Sequence, residues 1–187
     1  SIRNLLSNYL QQGESIPNIP APFPAQQISN FQFSQIAPLW KNLPKPVQND
    51  TLMLMEDLDQ AYGAVLYQTK LQAGNKAKLR FKNVNDYALV YVNKVFIGTL
   101  DRIKADSTIE IPQREKAALL EILVEATGRI NYGRYIHDRK GIHGKVILDN
   151  GQTQKVLSGW NNYPITLGEK NIPVQWQALS PQNANAA

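Results

Sequence analysis

The segment 128–142, GRINYGRYIHDRKGI, concentrates residue types suited to ligand recognition. It contains glycines that permit a tight backbone, arginines and an asparagine that donate hydrogen bonds, and tyrosines with flat apolar rings. Sugar-binding sites use this combination, and we take Asn131 and Tyr132 as candidate sugar ligands. The alternative is a rigid corner in which Arg129 bonds carbonyl groups and Tyr132 only fills the loop. Because loops serve both as binding sites and as structural corners, the residue types alone do not favour one interpretation over the other.

Paired carboxylates would indicate glycoside hydrolysis, which needs two carboxyl groups about 5–5.5 Å apart for retention or about 6.5–9.5 Å apart for inversion. Glu56, Asp57 and Asp59 lie close in sequence, but in an extended segment Glu56 would face away from the two aspartates. Glu121 and Glu125 flank an apolar strand and are expected to project outward or to bond neighbouring loops. The sequence therefore nominates no catalytic residue.

Metal-ligand and nucleophile patterns are absent from the sequence. The chain has no cysteine, which excludes disulfides and thiolate metal sites. His137 and His143 lack the third ligand or the HExxH spacing of a zinc site, and we expect both to be ordinary loop or strand residues. No GxSxG, P-loop or GxGxxG sequence occurs. We expect no metal and no cofactor, although turn carboxylates leave calcium open.

The basic residues bear on nucleic acid as a partner, because the formal net charge is +5 and the sequence pI is about 9.4. A stretch without any acid contains five of them, and most alternate with apolar residues as on a strand with one wet face: Lys70, Lys76, Lys78, Arg80 and Lys82. No aromatic residue interleaves with the cations on the exposed face of this strand, so we interpret that face as solvated and expect no nucleic-acid partner. No apolar run of 18 residues occurs, and no membrane partner is expected.

The elements before residue 51 are a short helix and an extended segment. The spacing of apolar residues in SIRNLLSNYL predicts about three helical turns, which Gly13 would end. Seven of the 11 prolines fall within residues 17–46, which favours an extended path laid over a surface. We therefore expect a helix over 1–12 and a proline-rich linker over 13–50.

Strands and turns dominate from residue 51 onward. Period-2 patterns predict strands at 62–71, 76–82, 86–92 and 95–100, and at 117–125, where composition alone would permit a helix. The Asn93-Lys94 and Asn150-Gly151 pairs predict tight hairpin turns. A last strand is expected around Tyr163–Leu167.

About eight or nine short strands in roughly 115 residues indicate an all-β sandwich or barrel. We predict a jelly-roll sandwich over 51–168, followed by a tail over 169–187. A (β/α)₈ barrel needs about 250 residues and does not fit.

Several motifs in register resemble the family 35 β-galactosidases, over most of residues 51–168. They are Met55-Glu56, Gln60, Tyr62-Gly63, Leu66-Tyr67-Gln68-Thr69, Val84-Asn85-Asp86-Tyr87-Ala88, Leu123-Val124-Glu125, Gly128-Arg129-Ile130-Asn131-Tyr132-Gly133, Lys140-Gly141-Ile142 and Trp160. The similarity is to the first β-domain after the catalytic barrel. Residues 1–12 look like the end of the last barrel helix, 13–50 like the strap from the barrel, and 169–187 like the lead into a further domain.

The resemblance implies a retaining parent enzyme that removes terminal non-reducing β-D-galactose with two barrel glutamates. This chain would then be a non-catalytic fragment with a galactose-binding-domain-like jelly roll. Its partners would be the barrel and the following β-domain of the same protein, and it would meet the galactoside substrate through them. By analogy alone, the location would be periplasmic or secreted.

For the loop, the resemblance implies that Asn131 and Tyr132 lie at the rim of the active site. Arg129, with Gly128 and Gly133, would be a structural anchor of the same loop. The alternative function is an independent carbohydrate-binding module with weak affinity for galactosides.

Overall fold

The computed structural model describes residues 2–27, 32–166 and 174–180. It divides the chain into two compact units, Ser1–Ser34 and Gln35–Ala187. None of the helices in the described ranges is long and apolar enough to cross a membrane.

The first unit contains a helix that is shorter than its apolar spacing predicts. Helix α1 spans Ile2–Leu6 and continues as a 3₁₀ turn over Ser7–Tyr9. Arg3 Nη1 donates to the carbonyl of Pro17 at 2.7 Å, so the segment after Gly13 folds back on the helix. The apolar side chains of the helical stripe are exposed: Ile2, Leu5, Leu6, Tyr9 and Leu10.

Within its described residues, the second unit contains fourteen strands and two 3₁₀ helices, Leu39–Lys41 and Met55–Leu58. In chain order the strands are β1 (Gln35–Ile36), β2 (Val47–Asn49), β3 (Ala64–Leu71), β4 (Ala77–Arg80), β5 (Asn83–Asn85), β6 (Tyr87–Val92), β7 (Val95–Asp101), β8 (Thr108–Ile111), β9 (Ala118–Glu125), β10 (Gly141–His143), β11 (Ile147–Asp149), β12 (Gln154–Val156), β13 (Trp160–Ile165) and β14 (Gln177–Ala178).

In the ranges that the structure describes, all strand pairs are antiparallel. A six-stranded sheet has the order β2-β13-β3-β9-β6-β7, and a four-stranded sheet has the order β12-β11-β4-β8. Two further pairs, β10-β5 and β1-β14, complete the unit. The predicted all-β sandwich is thereby confirmed, whereas the jelly-roll connection remains a prediction.

The core lies between the larger sheets, because alternate residues of each strand point to one face. Tyr67, Val90 and Ile122 from the six-stranded sheet are buried with Leu79 and Ile111 from the four-stranded sheet. Burying an aliphatic side chain of this size stabilises a fold by roughly 1.5–3 kcal/mol. The alternation that predicted the strands is therefore also what supplies the core.

The two tight turns form where the sequence predicts them. Asn93 and Lys94 both adopt positive φ, 50° and 64°, as a two-residue hairpin turn requires. The Asn150-Gly151 turn joins β11 to β12, and these strands pair with Ile147 opposite Val156. Strand β9 occupies the 117–125 segment and lies inside the six-stranded sheet, so the preference for a strand over a helix there is confirmed.

The exposed face of β4 carries the basic residues as predicted. Lys76 and Lys78 contact Glu110 of β8 at 3.2 and 3.4 Å, and Arg80 contacts Asp149 of β11 at 2.7 Å. These carboxylates on the neighbouring strands neutralise much of the positive charge of the basic residues.

Of two expectations about carboxylates, one is confirmed and one is wrong. Glu121 follows the second of its two predicted alternatives: it does not project into solvent but is fully buried and bonds neighbouring segments, accepting hydrogen bonds from Trp40 Nε1 at 2.6 Å and from the Lys94 amide of the hairpin turn at 2.7 Å. The first bond comes from the 3₁₀ helix Leu39–Lys41, whose Trp40 covers this part of the sheet. The segment holding Glu56 and Asp57 is a 3₁₀ helix rather than an extended chain, so alternation does not apply to it.

Two element boundaries differ from those that the sequence predicts. Strand β2, within the predicted linker, pairs with β13 at the edge of the six-stranded sheet. The last predicted strand begins earlier, at Trp160, and Leu167 lies outside the described residues, as does most of the predicted tail. The domain limits as a whole stay a prediction.

Candidate functional site

Residues 128–140 form a loop between β9 and β10, which we call the 128–140 loop. Residues 128–137 are exposed, whereas Asp138 and Arg139 are half-buried and Lys140 is buried. The loop therefore has a solvated tip and a last turn that enters the body of the sandwich. Gly141 follows at a φ of +113°, where a side chain would overlap the hydroxyl of Tyr67.

The two candidate sugar ligands lie at the exposed tip. Tyr132 is 89% exposed, and Asn131 beside it is also exposed. Neither side chain makes a hydrogen bond, ion pair or ring contact to any part of the chain that the structure describes. Gly133 turns the backbone with a φ of +92°, and its carbonyl accepts from the Ile136 amide at 3.3 Å. An aromatic face and an amide are thus presented together to solvent.

Arg129 ties the start of the loop to the segment before β3. Its guanidinium donates to the carbonyls of Ala61 and Gln60 and to the carboxylate of Glu56, the last at 2.5 Å. The side chain is partly exposed rather than buried. Gly128 next to it has open space around the position of a Cβ.

A buried lysine holds the end of the loop. The side chain of Lys140 is 2% exposed, and its Nζ donates to Asp86 at 2.7 Å and to Asp138 at 2.8 Å. Arg102 completes the group on the solvent side, since its guanidinium bonds Asp138 through two nitrogens and Asp86 through one. Two cations thus balance two carboxylates, which is the condition for burying any of them.

These contacts displace the pKa values of both aspartates. The bonds from Arg102, followed by those from Lys140, lower the pKa of Asp138 to about 2 against the opposing effect of its burial. Burial acts to raise the pKa of Asp86, but the bonds from Lys140, Arg102 and Thr127 outweigh it, and the pKa lies below its ordinary value. Both groups are therefore carboxylates at neutral pH. The pKa of Arg102 is correspondingly raised, chiefly by Asp138.

The histidines do not form a metal site. The Nε2 of His143 lies 2.8 Å from the carbonyl oxygen of Arg139 and 3.0 Å from the amide nitrogen of Asn85, so His143 helps to hold the loop end. His137 is exposed on the loop. Within the described ranges no group of three or more His, Asp or Glu side chains is placed to hold a metal ion.

An open cleft of ≈ 430 Å³ lies beside the loop start and the ion-pair group. Its lining combines polar and apolar side chains, among them Asp101, Arg102, Ile103, Thr127, Arg129 and Ile130. Sequence reasoning did not single out Asp86, Arg102 and Lys140 as partners. A signal was available, because Asp86 and Lys140 directly adjoin strands where an unpaired charge would be costly.

Replacing Lys140 by Met should destabilise the fold by about 3–5 kcal/mol, since it leaves two buried carboxylates with one cation. The measurement is the midpoint of urea denaturation. Lys145→Met is the matched control, because Lys145 is exposed, and its effect should stay within about 0.5 kcal/mol. Equal midpoints for the two variants would contradict the assigned role of Lys140.

Acid should weaken the fold through Asp138. Because its folded pKa of about 2 lies below the value in an unfolded chain, its stabilising contribution is complete above about pH 5 and is lost as the pH falls through about 2. The free energy of unfolding, measured by denaturant titration at a series of pH values, should therefore fall over this window. Asp138→Asn should flatten the slope; an unchanged slope would show that other carboxyl groups account for it.

Comparison with known proteins connects this geometry to a family. The family model described as "Beta-galactosidase, first all-beta domain" matches residues 53–166, which include β3 to β13 and the 128–140 loop. A β-galactosidase of Xanthomonas manihotis is 35% identical over 171 residues, 91% of this chain and 28% of the relative. β-Galactosidase 1 of Dictyostelium discoideum is 28% identical over 196 residues, 92% of this chain and 29% of the relative.

The human β-galactosidase-1-like protein 2 is 32% identical over 151 residues, 73% of this chain and 23% of the relative. The chain thus spans less than a third of the length of these curated relatives. Because the family model covers most of the sandwich and the relatives share this region, the chain belongs to the β-galactosidase family, in which its residues 53–166 correspond to the first all-β domain.

Proposed function

We propose that this chain is a non-catalytic part of a retaining β-galactosidase that hydrolyses terminal non-reducing β-D-galactose. Its sandwich is a scaffold, and the tip of the 128–140 loop forms part of the rim of the active site. The observation that carries the proposal is the exposure of Tyr132 without any partner in the described residues, on a loop anchored at both ends. An anchored loop with a free aromatic tip is suited to contact a ligand or another domain.

The carboxyl groups support a non-catalytic role. A retaining glycosidase needs one carboxyl group whose pKa is raised so that it can act as an acid. Among the described residues, every displaced carboxyl pKa is displaced downward, in Glu56, Asp57, Asp86, Glu110, Asp138 and Asp149. Hydrogen bonds from cations or amides account for these lowered pKa values. Such pKa values are typical of carboxylates with a structural role.

The partners of the domain follow from the same proposal. The catalytic barrel and the following β-domain of the same parent would flank it, and the galactoside would reach the loop only through the parent. The curated relatives are several times longer than this chain, which supports such an arrangement. A jelly-roll connection of the strands and a periplasmic or secreted location belong to this proposal as well.

Tyr132→Ala in the full-length enzyme should raise KM for a galactoside with a sugar leaving group about three- to tenfold, because one aromatic contact is worth about 0.5–1.5 kcal/mol. The kcat should change little. Tyr135→Ala is the control, since Tyr135 is exposed on the same loop but contacts Arg134 at 4.7 Å. Unchanged KM in the Tyr132 variant, or equal effects in both variants, would overturn the rim assignment.

An independent carbohydrate-binding module is the second candidate, because Asn131 and Tyr132 are exposed side by side. One aromatic ring offers little area for affinity, so we expect no saturable binding of galactose or lactose to this chain below about 10 mM. The measurement is an NMR titration of the chain as given. Saturable shifts confined to Tyr132 and its neighbours would favour the module over the scaffold.

A further inference from the structure

Glu56 occupies a 3₁₀ helix whose own position is fixed. Met55, the residue before it, is fully buried in the core, and its amide donates to the carbonyl of Lys140 at 2.9 Å. The amide of Gln60 in turn donates to the carbonyl of Met55 at 2.9 Å. The backbone that carries Glu56 is therefore attached both to the core and to the end of the 128–140 loop.

The carboxylate of Glu56 contacts both ends of the loop. At the start, it accepts from Arg129 Nη1 at 2.5 Å. At the end, it accepts from the Lys140 amide through both oxygens, at 3.1 and 3.2 Å, and it lies 3.6 Å from Arg139 Nε. Bonds between ionised groups, and from amides to a carboxylate, are the stronger and better-oriented hydrogen bonds in proteins. One side chain thus links residues on either side of the exposed tip.

Asp86 makes the corresponding link on the buried side. Its carboxylate accepts from the amide and hydroxyl of Thr127, just before the loop, and from Lys140 Nζ at its end. The two carboxylates differ in what else they hold. Asp86 balances the buried ammonium, whereas the removal of Glu56 leaves the contacts of Lys140 with Asp86 and Asp138 in place. The two roles are therefore separable by mutation.

We propose that Glu56 is the positioning residue of the 128–140 loop: by joining Arg129 to the Lys140 amide, it sets the separation of the loop ends and so the place of Asn131 and Tyr132. This inference rests on the proposed function of the loop. Residues 130–137 are exposed, and their hydrogen bonds in the described part of the chain are to other residues of the loop, such as that from the Ile136 amide to the Gly133 carbonyl at 3.3 Å. A change in the separation or direction of the ends is therefore transmitted to the tip.

The first test measures the loop without reference to catalysis. In the full-length enzyme, Glu56→Ala should speed tryptic cleavage after Arg134 about five- to tenfold under native conditions, since cleavage follows the population of open loop. Glu115→Ala is the matched control, because Glu115 is an exposed glutamate outside the loop, and it should leave the rate unchanged. Equal cleavage rates in wild type and Glu56→Ala would overturn the positioning role, whatever the kinetics.

The second test measures the consequence for substrate. Glu56→Ala should raise KM for a disaccharide galactoside about three- to tenfold and leave kcat within about twofold, because only the placement of the tip changes. In a double-mutant cycle, Tyr132→Ala should add little in the Glu56→Ala background. Additive effects of the two substitutions on KM would overturn the inference that Glu56 acts through Tyr132.

The two tests separate the inference from the proposed function. A loosened loop with unchanged KM would leave Glu56 as the residue that positions the loop and would overturn the rim assignment. A Glu56→Ala loop that trypsin cleaves no faster than the wild-type loop would overturn the inference. The rim assignment would then be decided by Tyr132→Ala alone. If Glu56→Ala does not fold, Glu56→Gln serves instead, because it removes the charge and retains one acceptor oxygen for the Lys140 amide.

Discussion

The ammonium group of Lys140 lies almost completely out of water, and much of this end of the sandwich is arranged around it. A buried charge is tolerated only when opposite charge and hydrogen bonds replace its hydration. Here Asp86 at the start of β6 and Asp138 in the loop supply the negative charge, and Arg102 after β7 balances the second carboxylate. The β6-β7 hairpin, whose ends carry Asp86 and Arg102, and the end of the 128–140 loop must therefore meet at one place.

Burying an ion pair is a poor way to gain stability, because a cluster of apolar side chains of the same volume serves at least as well. What charged hydrogen bonds supply is direction. The bonds from Arg102 to Asp138 and from Lys140 to Asp86 fix where the chain leaves and re-enters the sandwich. The loop between these points can then be exposed and still have a defined place, which a recognition loop requires.

A further buried carboxylate is satisfied in another way. Within the part of the chain that the structure describes, Glu121 has no cationic partner; it accepts instead from an indole, a side-chain amide and the backbone amide of Lys94. The indole belongs to Trp40, which also packs edge-on against Tyr91 at 5.0 Å. The segment 35–43 is thereby attached to the face of the six-stranded sheet that points away from the core, and that face is covered rather than wet.

Alternation and turn chemistry determined the strands, because both act between residues close in sequence: 117–125 had to be a strand, and Asn93-Lys94 a hairpin turn. Motifs in register also identified the family, and the loop with Asn131 and Tyr132 stood out by composition. Only the tertiary structure decided that Glu56 meets Lys140 and that Trp40 covers Glu121, pairs 84 and 81 residues apart. Period-2 alternation assigns a side chain to a face of a sheet; whether that face is buried, and what neutralises a charge on it, depends on segments distant in the chain.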